Sequence, residues 1–163
     1  MMPPYFRTAL LSLALVAPCV ALAEEQGSIA ATIDSEERSY NLTPSQSDWS
    51  GWGNGGGGSV SIIAGEDAPD GGWYDFSLGF SWAGDTASNP EISAKLDDTK
   101  LFGDEDTGVS VTLASVAIDG DFLTISGDFE GAIGPSQNRG RDIDEEGRVP
   151  ISGTFDVTLG PVE

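Results

Sequence analysis

Large apolar residues alternate with small or polar residues along much of this chain. The clearest run covers residues 74–82, where aromatic and aliphatic side chains occupy every second position. Strict alternation of this kind is typical of a β-strand with one face buried and the other exposed. The same pattern predicts further strands over residues 28–34, 38–42, 59–64, 109–113, 123–126 and 149–159.

Residues that favour turns separate these segments. Gly84-Asp85 and Asp119-Gly120 have the composition of hairpin turns, and Asp70-Gly71-Gly72 marks a further turn. Short strands at regular spacing are typical of β-sandwiches and β-barrels. The sequence therefore predicts an all-β fold, a single antiparallel β-sandwich or flattened barrel of about eight strands.

Residues 89–98 fit two kinds of secondary structure. Ser88, with Pro90 in the following turn and Glu91 three positions on, has the order of a helix N-terminus. Residues 92–96, however, alternate between apolar and polar side chains, as a strand does. We favour the strand because its period matches that of the neighbouring segments.

A short motif occurs twice in the second half of the chain. Residues 125–129 read ISGDF, and residues 151–155 read ISGTF. A glycine in the middle of a strand weakens it unless a bulge, a bend or a large cross-strand side chain needs the space. Two copies are too few for a solenoid. We therefore interpret the motif as two long strands whose glycines allow the sheet to coil and pack.

The first residues have the order of a secretory signal. Arg7 precedes an apolar run over residues 9–20, and Ala23 stands directly before Glu24. This run is shorter than the ~20 residues that a membrane-spanning helix needs. The sequence predicts a signal peptide over residues 1–23 with cleavage near Ala23.

The remaining residues, 24–163, have the length of one domain, which we expect to be secreted or periplasmic without a membrane span. The single cysteine, Cys19, leaves a lipoprotein anchor as an alternative. Pro18 fits the cleavage site of a lipoprotein poorly because it fixes the backbone there. With cleavage near Ala23, the mature chain has no cysteine and no disulfide bond.

Acidic residues strongly outnumber basic ones in this chain. There are 27 Asp and Glu against 7 Lys and Arg, which gives a net charge of −20. Such a surface repels nucleic acid and anionic lipid, because both are recognised through Lys and Arg. The charge favours solubility and makes cations or basic partners its natural counterparts. We expect no nucleic-acid partner.

The residue types that most often carry catalysis are absent or badly placed. The chain has no histidine, so the commonest general base and zinc ligand are missing. Ser93 and Lys95 share a strand face, but their spacing is not that of a nucleophile and its base. Asp128 and Glu130 also share a face, which we interpret as an exposed, solvated one. We predict that the protein is not an enzyme and has no cofactor.

Residues 142–149 contain oxygen ligands at alternate positions. Asp142, Asp144 and Glu146 are followed by glycine, as in the first half of an EF-hand calcium loop. The twelfth position, where such a loop has a glutamate, is Gly153. Two alternatives stay open, a weak calcium site formed by these three carboxylates and a solvated acidic connection between the repeated strands.

A glycine-rich segment at residues 50–59 contains four consecutive glycines, which favour a mobile loop. Trp49 and Trp52 stand at its start, where large apolar side chains are unusual. Exposed, the two tryptophans would form a platform for a sugar or a protein partner. Buried, they would cover the open end of the core.

Two segments carry a resemblance to known proteins. Residues 31–40 (ATIDSEERSY) and 151–159 (ISGTFDVTL) resemble the first hairpin and the last strand of small exported bacterial β-proteins. These families have an ATIDG first hairpin, and Ser35 stands where they have glycine. The resemblance implies an all-β fold and a bacterial envelope setting, and it implies no active-site residue.

The sequence leaves two main hypotheses for function. We favour an acidic, non-catalytic binding or envelope-associated module that binds a protein or glycan through loops at one end of the fold. The alternative is a structural protein that binds calcium weakly. A third hypothesis, an outer-membrane barrel, fits less well because the chain ends Pro161-Val162-Glu163 without an aromatic residue.

Overall fold

The computed structural model describes residues 25–52, 56–66 and 75–161. The predicted signal peptide, the turn at residues 70–72 and Tyr74 lie outside these ranges. The described residues form ten strands, β1 (Gln26–Ile33), β2 (Glu36–Leu42), β3 (Asp48–Gly51), β4 (Gly57–Gly65), β5 (Phe76–Ala83), β6 (Thr86–Leu96), β7 (Thr99–Asp104), β8 (Ser110–Asp119), β9 (Phe122–Pro135) and β10 (Val149–Leu159). Two short 3-10 helices cover Pro44–Gln46 and Glu105–Thr107.

Eight of these strands close into a ring. The order around the ring is β10-β1-β2-β4-β5-β6-β7-β9, and β9 then pairs with β10. All the strand pairs are antiparallel, with β1 and β10 in register from Gln26 opposite Thr158 to Ile33 opposite Ile151. The sequence prediction of an antiparallel all-β sandwich or flattened barrel is confirmed.

Two strands of the ring, β4 and β9, each pair with two successive strands. Residues 64–65 of β4 pair with the end of β2, and residues 58–61 pair with β3. The end of β9 pairs with β7, and its beginning pairs with β8. Strand β8 has one further partner residue among the described strands, Thr86 of β6 opposite Thr112.

The glycine-rich segment is more ordered than the sequence predicts. Strand β3 includes Ser50 and Gly51, and β4 begins at Gly57, so both reach into the expected loop at residues 50–59. A methyl group added at Gly58 would meet the backbone carbonyl of Ser50, which only glycine allows at this distance. The close approach of β3 to β4 explains Gly58, whereas Gly57 lies against the carbonyl oxygen of Trp82 on β5. Residues 53–55 of the segment lie outside the described ranges.

Residues 89–96 belong to a strand, as the alternation predicts. Strand β6 runs through Ser88 and Pro90 to Leu96. The features that suggested a helix start coincide with an irregularity, because the register between β5 and β6 shifts between Gly79 and Ser81. Asn89 has a positive φ of 50° at this place. The strand continues because pairing with β5 and β7 overrides the local preference for a helix.

The repeated motif forms a reciprocal packing arrangement in the core. Strands β9 and β10 pair so that Gly127 lies opposite Phe155 and Gly153 lies opposite Phe129. A methyl group added at Gly153 would lie 2.5 Å from Cζ of Phe129, and one at Gly127 would lie 3.0 Å from Cζ of Phe155. Each glycine therefore makes room for the phenylalanine of the other copy, one of the roles the sequence suggests for such a glycine.

Tyr40 places a hydroxyl group inside the core. Its ring is 1% exposed and stacks on Phe76 at 5.1 Å between ring centroids. The hydroxyl has no hydrogen-bond partner among the described residues. Burial raises the pKa of Tyr40 to about 12, since the charged phenolate is disfavoured away from water.

We expect the substitution Tyr40→Phe to leave the protein equally stable or about 1 kcal/mol more stable, because a buried unpaired hydroxyl costs free energy.

The free energy of unfolding of the wild-type protein should also fall by about 2–3 kcal/mol between pH 10 and pH 12. In that window the unfolded tyrosine ionises while the folded one stays protonated, so folding stability falls as the pH rises. Chemical unfolding at pH 8 and pH 11.5 measures both effects, and an equal alkaline loss in Y40F would contradict the assignment.

Candidate functional site

A groove of about 1050 Å³ lies on the outer face of strands β4 to β7 and is called here the outer groove. Its floor consists of residues that alternate with core positions such as Ile62 and Leu78, so they point away from the core. Gly79 and three serines form part of this floor, beside the aliphatic side chain of Ile63. The serines are Ser61, Ser77 and Ser93.

Two of the serines are joined across the floor. The hydroxyl oxygens of Ser77 and Ser93 lie 2.6 Å apart, and these residues face each other across β5 and β6. The alternation of residues 92–96 predicts an exposed position for Ser93, but Ser93 is only 4% exposed. It lies between Ser77 on β5 and Phe102 on β7. Lys95 does not join it, since its ammonium lies 3.9 Å from Asp98.

One side of the outer groove is formed by a loop between β9 and β10, residues 136–142, called here the arginine loop. Ser136 organises it, because its hydroxyl accepts hydrogen bonds from the backbone N–H groups of Gly140 at 2.8 Å and Asn138 at 3.3 Å. The side-chain oxygen of Asn138 accepts a further one from the N–H of Asp142 at 2.9 Å. These bonds close the loop into a defined shape rather than a mobile connection.

The arginine loop lies against one aromatic side chain of the sheet. Gly140 has a φ of 91° and approaches Phe102 so closely that an added methyl group would lie 3.1 Å from the ring. On the same ring, the ammonium of Lys100 lies 5.7 Å from the centroid, a cation–π distance. Phe102 thus anchors the loop and the lysine at one side of the outer groove.

Positive charge is concentrated at this side. Of the seven basic residues in the chain, Lys100, Arg139 and Arg141 line the outer groove. In the ranges that the structure describes, no carboxylate lies within ion-pair distance of Arg139 or Arg141. In the same ranges, Arg38 and Lys95 form ion pairs, whereas these two arginines form none.

Two carboxylates also line the outer groove. Glu91 and Asp104 face each other across β6 and β7, in the row of residues that contains Gly79. The next row contains Ser77, Ser93 and Phe102. The outer groove therefore offers guanidinium donors at the arginine loop, hydroxyl groups on the floor and carboxylate acceptors beyond them.

The two tryptophans singled out from the sequence have different environments. Trp49 is buried, and its indole N–H donates a hydrogen bond to the backbone oxygen of Asp121 at 3.0 Å. Trp52 is 48% exposed, and its ring lies over Gly57. Trp49 covers the end of the core, as one of the two sequence hypotheses expects. The structure does not bring the pair together as a binding platform.

The three carboxylates of the hypothetical calcium loop are all exposed. The described part of the chain contains no group of three acidic residues close enough to hold a metal ion, so Asp142, Asp144 and Glu146 do not converge. Gly153, the position where an EF-hand needs its closing glutamate, is paired inside β10. The segment instead runs back to the sheet, where Arg148 donates a hydrogen bond to the carbonyl oxygen of Ile143 at 3.2 Å.

Comparison with known proteins finds no matching family model, no matching curated protein and no matching solved structure. Within the described ranges, no helix has the length and apolar character of a membrane span.

Sequence reasoning did not find the outer groove, because its residues come from four strands and one distant loop. The only sequence signal was the clustering of scarce basic residues. Arg139 and Arg141 stand two positions apart in a chain with only seven such residues. That bias in an acidic chain could have marked the loop as a candidate.

Proposed function

We propose that this chain is a secreted or periplasmic, non-catalytic binding module that binds a protein or glycan partner in the outer groove. The observation that carries the proposal is the arginine loop, a hydrogen-bonded segment that holds two arginines at the rim of the groove, where neither has an ion pair with a described residue. Export is inferred from the order of residues in the first 23 positions. This proposal places the binding site on a sheet face, whereas from the sequence we expected binding through loops at one end of the fold.

A purely solubilising surface gives a weaker account of these residues. Acidic side chains alone would keep the protein soluble, and they need no structured basic loop above the sheet. Concave sites with a few convergent polar groups are where ligands bind in most proteins. The arrangement of hydroxyl, carboxylate and guanidinium groups supports recognition of a polar ligand and does not assign a nucleophile or a general base.

The substitution Gly79→Phe tests the proposal by filling the floor of the outer groove. A methyl group at Gly79 has only the carbonyl oxygen of Val60 near it, at 3.7 Å, so a side chain fits there without disturbing the core. We expect the wild-type protein to bind at least one member of an array of oligosaccharides and peptides. G79F should lose that binding while keeping its melting temperature.

The matched control is Thr154→Phe, which adds the same ring to the exposed face of β10, away from the outer groove. We expect T154F to bind as the wild-type protein does. Failure of the wild-type protein to bind any probe, or binding that G79F retains in full, would contradict the proposal.

A further inference from the structure

We propose that the ligand of the outer groove is a short glycan that carries carboxylate groups, such as an oligomer of uronic acid residues. This inference depends on the proposed function, since it names the ligand class of the same groove. It rests on three properties of the groove, which are its two arginines without an ion pair in the described ranges, the two carboxylates at its far side and its size within an acidic surface.

The arginines supply the recognition of carboxylate. A guanidinium group donates two parallel hydrogen bonds to a carboxylate, and this geometry makes arginine the preferred partner of such groups. Arg139 and Arg141 stand on either side of Gly140, which is fixed on the ring of Phe102. Because the loop is held by its own hydrogen bonds, both arginines begin from a preorganised backbone, which lowers the entropic cost of binding.

The far side of the groove suits the hydroxyl groups of a sugar. Ser77 and Ser93 bond each other at 2.6 Å and Ser93 is buried, so the acceptors there are the ionised carboxylates of Glu91 and Asp104. A sugar hydroxyl can donate to these carboxylates, whereas a carboxylate or a phosphate placed beside them would be repelled. The groove thus favours a ligand that turns its carboxylates towards the arginines and its hydroxyl groups towards Glu91 and Asp104.

An acidic peptide fits this surface less well than a glycan. Extended peptides usually gain affinity by pairing their backbone with the free edge of a sheet. The outer groove lies on a sheet face whose strands are already paired on both sides, from β4 to β7. A peptide would therefore leave its backbone groups without ladder partners, while a glycan needs none.

The charge of the whole protein limits the length of the ligand. The groove volume of about 1050 Å³ is at the upper end of the range for small-molecule sites. Outside the groove, the surface of a chain with a net charge of −20 repels a polyanion. Binding should therefore involve a few sugar residues, and a longer acidic chain should gain no affinity from its extra length.

Calorimetric titration with trigalacturonic acid tests the inference on the whole mature chain. We expect binding that weakens at least tenfold when the carboxylates are methyl-esterified. The double variant R139Q/R141Q should bind about a hundredfold more weakly, because each charged hydrogen-bonding pair contributes roughly a factor of ten. The control K95Q removes a positive charge from a lysine outside the groove and should bind as the wild type does.

Other outcomes overturn the inference and distinguish it from the proposed function. Equal binding of the methyl ester, with loss of binding in G79F, would refute the carboxylate requirement while the binding module stands. Tighter binding of an aspartate tripeptide than of trigalacturonic acid would indicate an acidic peptide instead of a glycan. Absence of binding to every titrant, together with a negative array, would remove both proposals.

Discussion

Replacement of Gly153 by alanine should destabilise the protein by about 2–3 kcal/mol, as overpacking in a well-packed core does. The added methyl group would collide with the carbonyl oxygen of Ala30 on β1 and would lie 2.5 Å from Cζ of Phe129 on β9. The carbonyl belongs to the ladder between β1 and β10, so it cannot move without breaking the pairing that closes the ring. Equilibrium unfolding in guanidinium chloride measures the loss.

Gly79→Ala is the matched control, since Gly79 is also in the middle of a strand. An added methyl group there has only one neighbour, at 3.7 Å, so G79A should stabilise the protein by about 0.5–1 kcal/mol through lower chain entropy. Adding Phe129→Leu to G153A should restore part of the loss, which would show that the two sites are coupled. Equal stability of G153A and wild type would refute the proposed role of the repeated glycines.

Phe76→Ala should have the largest effect on stability, about 3–5 kcal/mol, because truncation of a buried phenylalanine removes apolar contacts and leaves a cavity. Phe76 is fully buried, and its ring lies 5.1 Å from the ring of Tyr40 and 5.5 Å from that of Phe129. It therefore joins β5 to strands β2 and β9 across the core. Since domains have only about 5–15 kcal/mol of stability in total, F76A should be close to unfolding at 37 °C.

Phe122→Ala provides the comparison for this prediction. Phe122 begins β9 next to the turn at the end of the β8–β9 hairpin and is only partly buried. Its truncation should lower the free energy of unfolding by less than half of the loss in F76A, because less apolar surface returns to water. Thermal and denaturant unfolding of both variants give the two values. A larger loss of stability in F122A than in F76A would show that Phe76 does not lie at the centre of the core.

The strands that alternate most strictly could be predicted from the sequence, and those with weak alternation could not. Strand β10 covers residues 149–159 as predicted, because every inward position from Ile151 to Leu159 except Gly153 is a large apolar residue. Strand β7 was missed because it buries only Leu101 and Gly103 and contains Lys100 and Asp104 among so few residues. Strand β3 was missed because two of its four residues are small and its pairing with β4 depends on glycine.

The candidate site was beyond sequence reasoning for a different reason. Alternation shows that Ser77 and Ser93 point away from the core, but not that residues 139–141 of a distant loop line the same groove. The burial of Trp49 likewise depends on Asp121, a residue of another hairpin whose position follows only from the closed ring. Properties that arise from pairing between distant segments leave no local pattern for a single sequence to reveal.

The pairing of the first strand with the last has a consequence for the time at which this chain folds. Strand β1 finds its partner β10 only at the end of the sequence, so the ring cannot close until almost the whole chain has been synthesised. Contacts between residues far apart in sequence form slowly, because the entropy of closing a long loop must be overcome first. A partly made chain leaves the edges of β1 and β9 open and stays incompletely folded.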